Sequence, residues 1–210
     1  MAKSLGELRK EEITDAVLYI LVEQGPTALS TRTVAEQVGL SKSSLYQHFD
    51  SLEDMTLAAM ERLHDRIKDM LLIAGKKAES PLHELKLFAE SMPQLAPLFA
   101  VMPKLKFTNL LADKDWCVAL SEHKDWFKNH LTKVMSRAQE AGELRSDIAP
   151  LQCLHVYGGL FREIIFMWME RESEEEFQGD EMIQNTWELF IKLMQPQGGT
   201  GEYTGPERRK

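Results

Sequence analysis

Apolar residues recur three and four positions apart over nearly the whole of this chain, and that periodicity restricts the fold more than any other feature. Ile13, Ala16, Val17, Ile20 and Leu21 form one such stripe; Met55, Ala59, Leu63, Ile67, Met70 and Ala74 form another. A helix turns once in 3.6 residues, so this spacing gathers apolar groups on one side of it. No stretch shows the sustained alternation with β-branched enrichment that marks a half-buried strand. The expected fold class is all-α.

Punctuation divides the pattern into about nine helices. Ser4 with Glu7 reads as a capping box, and Gly25-Pro26 ends the first helix. Ser30 or Thr31 opens a short second helix carrying Val34, Ala35 and Val38, which Gly39 closes. Ser41 opens a third helix, expected to run about two turns with Leu45 and Phe49 inward. Ser51 with Asp54 opens a long fourth. Pro81, Pro93, Pro97 and Pro103 should cut region 76–111 into short helices and turns, because proline lacks an N–H and crowds the carbonyl four residues back. Helices over roughly 113–141, 149–172 and 179–194 follow, with Gly142 suited to the position just past a helix end.

Helix 149–172 is apolar on two sides. Leu151, Leu154, Gly158, Phe161, Ile165 and Trp168 run down one, while Val156, Leu160 and Ile164 add another. Two apolar sides require two packing partners. With the last helix, this one is expected to build a four-helix seam with a second copy of the chain. Residues 196–210 are rich in Gly and Pro and are expected to be a disordered tail.

Charge enters at residues 31–49, TRTVAEQVGLSKSSLYQHF. The chain carries net charge −8, which excludes a surface coated for nucleic acid. It leaves room for a local polar face, because phosphate attraction acts within about 10 Å at ~0.1 M salt. Residues 1–50 hold five Lys or Arg against seven Asp or Glu, so neutral donors and helix N-termini must carry much of any backbone contact. Two readings stand on these residues alone: a helical corner whose serines are caps, or a surface shaped for DNA.

The second reading is geometric. Three short helices with a glycine at the second turn make a helix-turn-helix arrangement, in which the third helix enters the major groove by its N-terminal residues. Ser41, Lys42, Ser43 and Ser44 occupy that turn, where small hydroxyls permit close approach and free N–H groups face anions. Tyr46 and His48 can donate to phosphate, and Gln47 can pair with adenine.

The block STRTVAEQVGLSKSSLYQHFDSLEDM resembles the DNA-binding signature of TetR-family (tetracycline-repressor-like) transcriptional regulators. Thr31, Val34, Ala35, Gly39, Ser41, Lys42, Ser44, Leu45, Tyr46, His48 and Phe49 match its pattern. The resemblance covers about 9–69; over 70–195 only length and helical layout agree. It departs at Leu52, where members often carry a phosphate-binding lysine, and at Gln47, where an aromatic often follows the tyrosine.

The resemblance implies a DNA-binding domain over 9–69, with the helix-turn-helix motif at about 33–52, and an effector-binding and dimerisation domain over 70–195. It implies an Ω-shaped homodimer that binds a palindromic double-stranded operator and is released by a small-molecule effector. Expected DNA contacts are Thr31, Arg32, Thr33, Ser41, Lys42, Ser43, Ser44, Tyr46, Gln47 and His48. Expected effector contacts are the soft and aromatic groups Phe88, Met92, Phe99, Met102, Phe107, Trp116, Tyr157 and Phe161, with Arg162 as a polar partner.

Other classes lack their signatures. There is no Gly-rich phosphate loop, no H-E-x-x-H and no G-x-S-x-G, so no enzyme, cofactor or metal is expected. His123 pairs with Cys117 or His130 without a third ligand. Cys117 and Cys153 have no paired spacing, which fits a reducing compartment. The N-terminus has no apolar signal core, and the apolar run 151–169 is interrupted by Arg162 and Glu163; a cytoplasmic location is expected. A rival role on the same fold is an architectural or cell-division DNA-binding protein whose body binds another protein.

Overall fold

A computed structural model describes residues 4–105, 114–170 and 179–196, with the side chains at 97, 98, 100, 102–104, 114–121, 168 and 169 excepted. Phe107, the run at 172–176 and residues 197–210 therefore lie outside it, as do the side chains of Met102 and Trp116. Every regular element among the described residues is helical, as the periodicity predicts. In chain order these are α1 (Leu5–Tyr19), α2 (Thr31–Val38), α3 (Lys42–Leu45), α4 (Leu52–Lys77), α5 (Pro81–Glu90), α6 (Met92–Leu105), α7 (Lys114–Glu140), α8 (Pro150–Glu170) and α9 (Gly179–Met194).

The starts and stops follow local chemistry. Ser4 and Glu7 exchange the two hydrogen bonds of a capping box at α1. α1 loosens into a π-helical turn over Ile20–Gln24 before Gly25, at φ 83°, turns the chain into Pro26. Ser51 Oγ accepts from Asp54 N at the head of α4. Glu53 and Asp54 sit in its first turn and Lys76 and Lys77 in its last, each sign facing the end of the helix dipole that favours it. Gly142, at φ 71°, ends α7.

Two expectations are corrected. Pro97 and Pro103 do not divide α6, which runs unbroken. Each interior proline costs a helix about 3 kcal/mol. The opposing term is burial: Met92, Leu95, Ala96, Val101 and Leu105 are all buried, and α6 lies against α8, α9 and the π-turn after α1. Burying a large aliphatic side chain gains about 1.5–3 kcal/mol, so a helix buried along this length tolerates both breaks. The second correction concerns α8. Its core stripe is Cys153, Leu154, Tyr157, Phe161 and Ile164, whereas Leu151, Gly158, Gly159, Phe166 and Met167 are exposed. Helix periodicity was right, but the register of its two sides was not.

One core runs from α1 to α9. α4 packs on α1 at one end and on α5 and α7 at the other, and its 26 residues span about 39 Å. Polar ties fasten the far end. Glu143 Oε2 accepts from Leu82 N at the start of α5, Gln139 Nε2 donates to the Arg145 and Ile148 carbonyls, and Arg145 N donates to the Met194 carbonyl.

Candidate nucleic-acid interface

The corner formed by α2 and α3 is closed by short-range hydrogen bonds. Ser30 Oγ accepts from Thr33 N at 3.1 Å, and Thr33 Oγ1 accepts from Ser30 N at 3.0 Å. Thr33 Oγ1 also directs its proton at the Ala28 carbonyl, 2.8 Å away. Gly39, in the left-handed region at φ 65°, reverses the chain, and Leu40 N donates to the Ala35 carbonyl at 2.9 Å. Beneath lie Val34 and Leu45, both 0 % exposed.

α3 is shorter than expected. It holds one α-turn, after which Gln47 N and His48 N donate three residues back, to Ser44 and Leu45. Such tightening is common where a helix frays at its end. Serines compete for the backbone with their own side chains, and here they do: Ser41 Oγ accepts from Ser44 N at 3.1 Å and lies 2.8 Å from the hydroxyls of Ser43 and Ser44. With one turn, little macrodipole builds up, so a ligand here would be held by individual donors.

The sequence-selected residues divide by exposure. Arg32, Ser41, Lys42, Ser43, Tyr46 and Gln47 are exposed; Thr31, Thr33, Ser44 and His48 are half-buried. Arg32 Nε donates to Glu36 at 2.8 Å, and that hydrogen bond chiefly holds its proton more firmly than usual. Tyr46 is 49 % exposed although its neighbour Leu45 is wholly buried, so the tyrosine ring stands outward beside the serine cluster. Phe49 is half-buried, with the Lys10 ammonium 5.6 Å from its ring centroid. Leu52 is half-buried against the core in the first turn of α4, so the departure from lysine replaces a cation with packing.

A clamp that no sequence pattern announces ties α1 to α4, the helix that follows the corner. Asp15 on α1 accepts from Arg62 Nε at 2.6 Å and Nη2 at 2.8 Å, and from Arg66 Nη2 at 2.8 Å. The partners are 47 and 51 residues apart in sequence. Beside the clamp, Lys10, Glu11, Thr14, Phe49, Ala58, Glu61, Arg62 and Asp65 line an open groove of about 360 Å³.

The residues marked for an effector lie elsewhere. Phe88, Met92, Tyr157 and Phe161 are buried, and Phe99 is half-buried. Tyr157 meets Phe161 at a 45° tilt, centroids 4.6 Å apart, and Phe190 edge-on at 5.4 Å, and Phe88 and Phe99 flank Phe127 at 5.7 and 6.4 Å. Tyr157 Oη donates to the Leu85 carbonyl at 2.9 Å, and full burial pushes its proton loss well above the usual range. Arg162 is exposed, apart from these rings. Sequence reasoning missed Phe127 and Phe190, which show only as members of apolar stripes. It also missed buried Glu84, which accepts from Arg137 Nη2 at 2.6 Å and lies 3.3 Å from His130 Nε2. Among the described residues no group of three or more His, Cys, Asp or Glu is placed to hold a metal, and no helix is long and apolar enough to cross a membrane.

An all-helical chain with a capped helix-turn-helix corner at one end and a larger helical body is the architecture of a DNA-binding regulator. Residues 13–59 match the family model for bacterial regulatory proteins, tetR family. Residues 13–59 thus form a TetR-type DNA-binding domain, and the chain is similar to TetR-family transcriptional regulators. It is 30 % identical over 112 residues to the nucleoid occlusion factor SlmA of Vibrio vulnificus, covering 48 % of this chain and 55 % of that protein. It is 24 % identical over 151 residues to the HTH-type transcriptional repressor AcnR of Corynebacterium diphtheriae, covering 71 % and 75 %. The match thus spans about half the length of the first of these curated relatives. The fold superposes on the transcriptional regulator FadR from Bacillus subtilis, solved in complex with stearoyl-CoA, with a TM-score of 0.68 at 17 % identity over 86 % of this chain and 97 % of that one.

Proposed function

We propose that the chain is a cytoplasmic repressor that binds a palindromic operator as a homodimer and is released by a small-molecule effector. Residues 9–69 are the DNA-reading unit, with its helix-turn-helix at about 33–52, and 70–195 the effector-binding and dimerisation body. The observation that carries this reading is the outward polar face of the corner: three clustered serine hydroxyls, Lys42, Tyr46 and Gln47 on a turn whose apolar side is buried in Leu45. Arg32, Ser41, Lys42, Ser43, Ser44, Tyr46 and His48 position the chain on phosphate, and Gln47 reads a base. Thr31 joins the phosphate contacts, whereas Thr33 also shapes the corner, since its hydroxyl already serves backbone groups.

The dimer forms through the outer faces of α8 and α9. Leu151, Phe166, Met167, Leu189 and Leu193 are exposed there, and an added Cβ at Gly158 or Gly159 meets nothing within 4 Å. A twofold reader needs such a face, because its half-sites lie about one DNA turn apart. The effector enters among Phe88, Met92, Phe99, Tyr157 and Phe161, with Met102, Phe107, Trp116 and Arg162 as further contacts proposed from the sequence. Support comes from the ring-rich body and from a fold neighbour solved with stearoyl-CoA.

The second reading, an architectural or cell-division factor, is favoured by the likeness to a nucleoid occlusion factor. A genome-wide binding map separates the two. A few promoter sites lost on adding an effector support the repressor; many dispersed sites support the alternative; no enrichment overturns both.

A further inference from the structure

α4 carries the DNA-reading corner at one end and meets α7 of the body along a seam of rings and charges. The His64 and His123 rings lie parallel within 2°, centroids 4.6 Å apart. One turn further along α4, the Lys68 ammonium stands 5.0 Å from the Trp126 ring centroid, and Trp126 stacks on His130 at 5.1 Å. His64 Nδ1 is buried and makes no hydrogen bond. None of these groups serves the corner or the dimer face.

Two neutral imidazoles stack without penalty, whereas two imidazolium ions at that separation repel, and a charge on a buried ring loses its water. We propose that His64 and His123 are positioning residues: their stack holds α4 against α7 while the rings are uncharged and lets go on protonation, so that operator affinity falls with acid. This rests on reading residues 9–69 as the DNA-binding unit.

The surroundings of His64 favour that sign. Burial first, then His123, makes His64 harder to protonate than an ordinary histidine, while the Met60 carbonyl and Asp65 act weakly the other way. The released ring takes its proton more readily than the stacked one. Falling pH through about 6.5 and below therefore drives release, and above that range the contact is at full strength. Two further carboxylates packed at these helices are already engaged. α1 brings Asp15, held by Arg62 and Arg66. α5 brings Glu84, held by Arg137 and His130. His130 joins α7 to α5 through Glu84 and stacks on Trp126, which also meets Lys68 of α4; the His64 variants separate that contact from the His64–His123 stack.

The test uses the full chain carrying His48→Gln, because a proton on His48 at the corner would raise phosphate affinity and mask the effect. The probe is a duplex selected from a random pool by the unmodified chain at about pH 7.5. Between about pH 7.5 and 5.5 the affinity should fall roughly fivefold or more. His64→Phe, which keeps a stacking ring without a charge, should abolish the fall, and His123→Phe should reduce it. In parallel, the His64 imidazole resonance of the unmodified chain should titrate below about 6.5. Equal acid losses in parent and both variants, or a His64 midpoint at or above that value, overturn the proposal. Failure to select any duplex overturns the operator reading instead, and the resonance titration still decides whether the stack is acid-labile.

Discussion

Asp15 on α1 and Arg62 on α4 meet through two parallel hydrogen bonds of 2.6 and 2.8 Å, and Arg66 adds a third to the same carboxylate. The paired geometry is the strong form of a carboxylate–guanidinium contact, but the side chains are 42 % and 33 % exposed and solvent screens them. Asp15→Ala should therefore destabilise the chain by about 1 kcal/mol. Because the clamp ties α1, on which α2 packs, to α4, operator affinity should fall further than stability does. Chemical denaturation read beside DNA binding checks this; equal losses would confine the clamp to stability.

Tyr46→Ala and His48→Ala should each weaken binding to a selected duplex about tenfold while leaving the melting temperature within a degree or two, since neither side chain is in the core. Affinity unchanged in both variants at moderate salt removes them from the interface.

Gly75 and Glu84 form a coupled pair. A Cβ at Gly75 would stand 2.9 Å from Glu84 Oε1, and that carboxylate cannot swing aside because Arg137 and His130 hold it. Gly75→Ala gains about 1 kcal/mol of helix propensity yet should destabilise overall by about 1 kcal/mol. In a Glu84→Ala background the same change should stabilise. Glu84→Ala alone should cost only about 1 kcal/mol, since the Arg137 side chain it releases is 53 % exposed and regains water. A double-mutant cycle without coupling would refute this account.

Tyr157 is buried in the body, and its hydroxyl donates to the Leu85 carbonyl. Its raised proton affinity means that the unfolded chain ionises first as pH climbs past about 10, so stability contributed by the neutral phenol is present below that pH and lost above it. Tyr157→Phe should cost about 1 kcal/mol at neutral pH by removing the hydrogen bond to the Leu85 carbonyl, and should soften the alkaline loss. Melting curves from neutral to alkaline pH measure both.

Phe166→Asp and Leu189→Asp place charges on the exposed apolar faces of α8 and α9. Each should convert a dimer into monomers in sedimentation without unfolding them, as neither residue is buried in the chain itself. A dimer that survives both changes would move the interface elsewhere.

Local chemistry was legible in the sequence by itself. Helix periodicity, the Ser4, Ser30, Ser41 and Ser51 caps and the reversals at Gly25, Gly39 and Gly142 appear where short-range rules place them. The outward corner face was legible too, because capping and burial of Val34 and Leu45 act within one or two turns. What tertiary structure alone decided involves energies that depend on distant neighbours. Unbroken α6 depends on burial against α8 and α9, which outweighs two prolines. The register of α8 depends on which side α6, α7 and α9 cover. The Asp15 clamp, the Glu84–His130 contact and the His64–His123 stack each join residues at least 46 positions apart. A charge or ring in the sequence states what it can bond to; only the packed helices state which partner comes within reach.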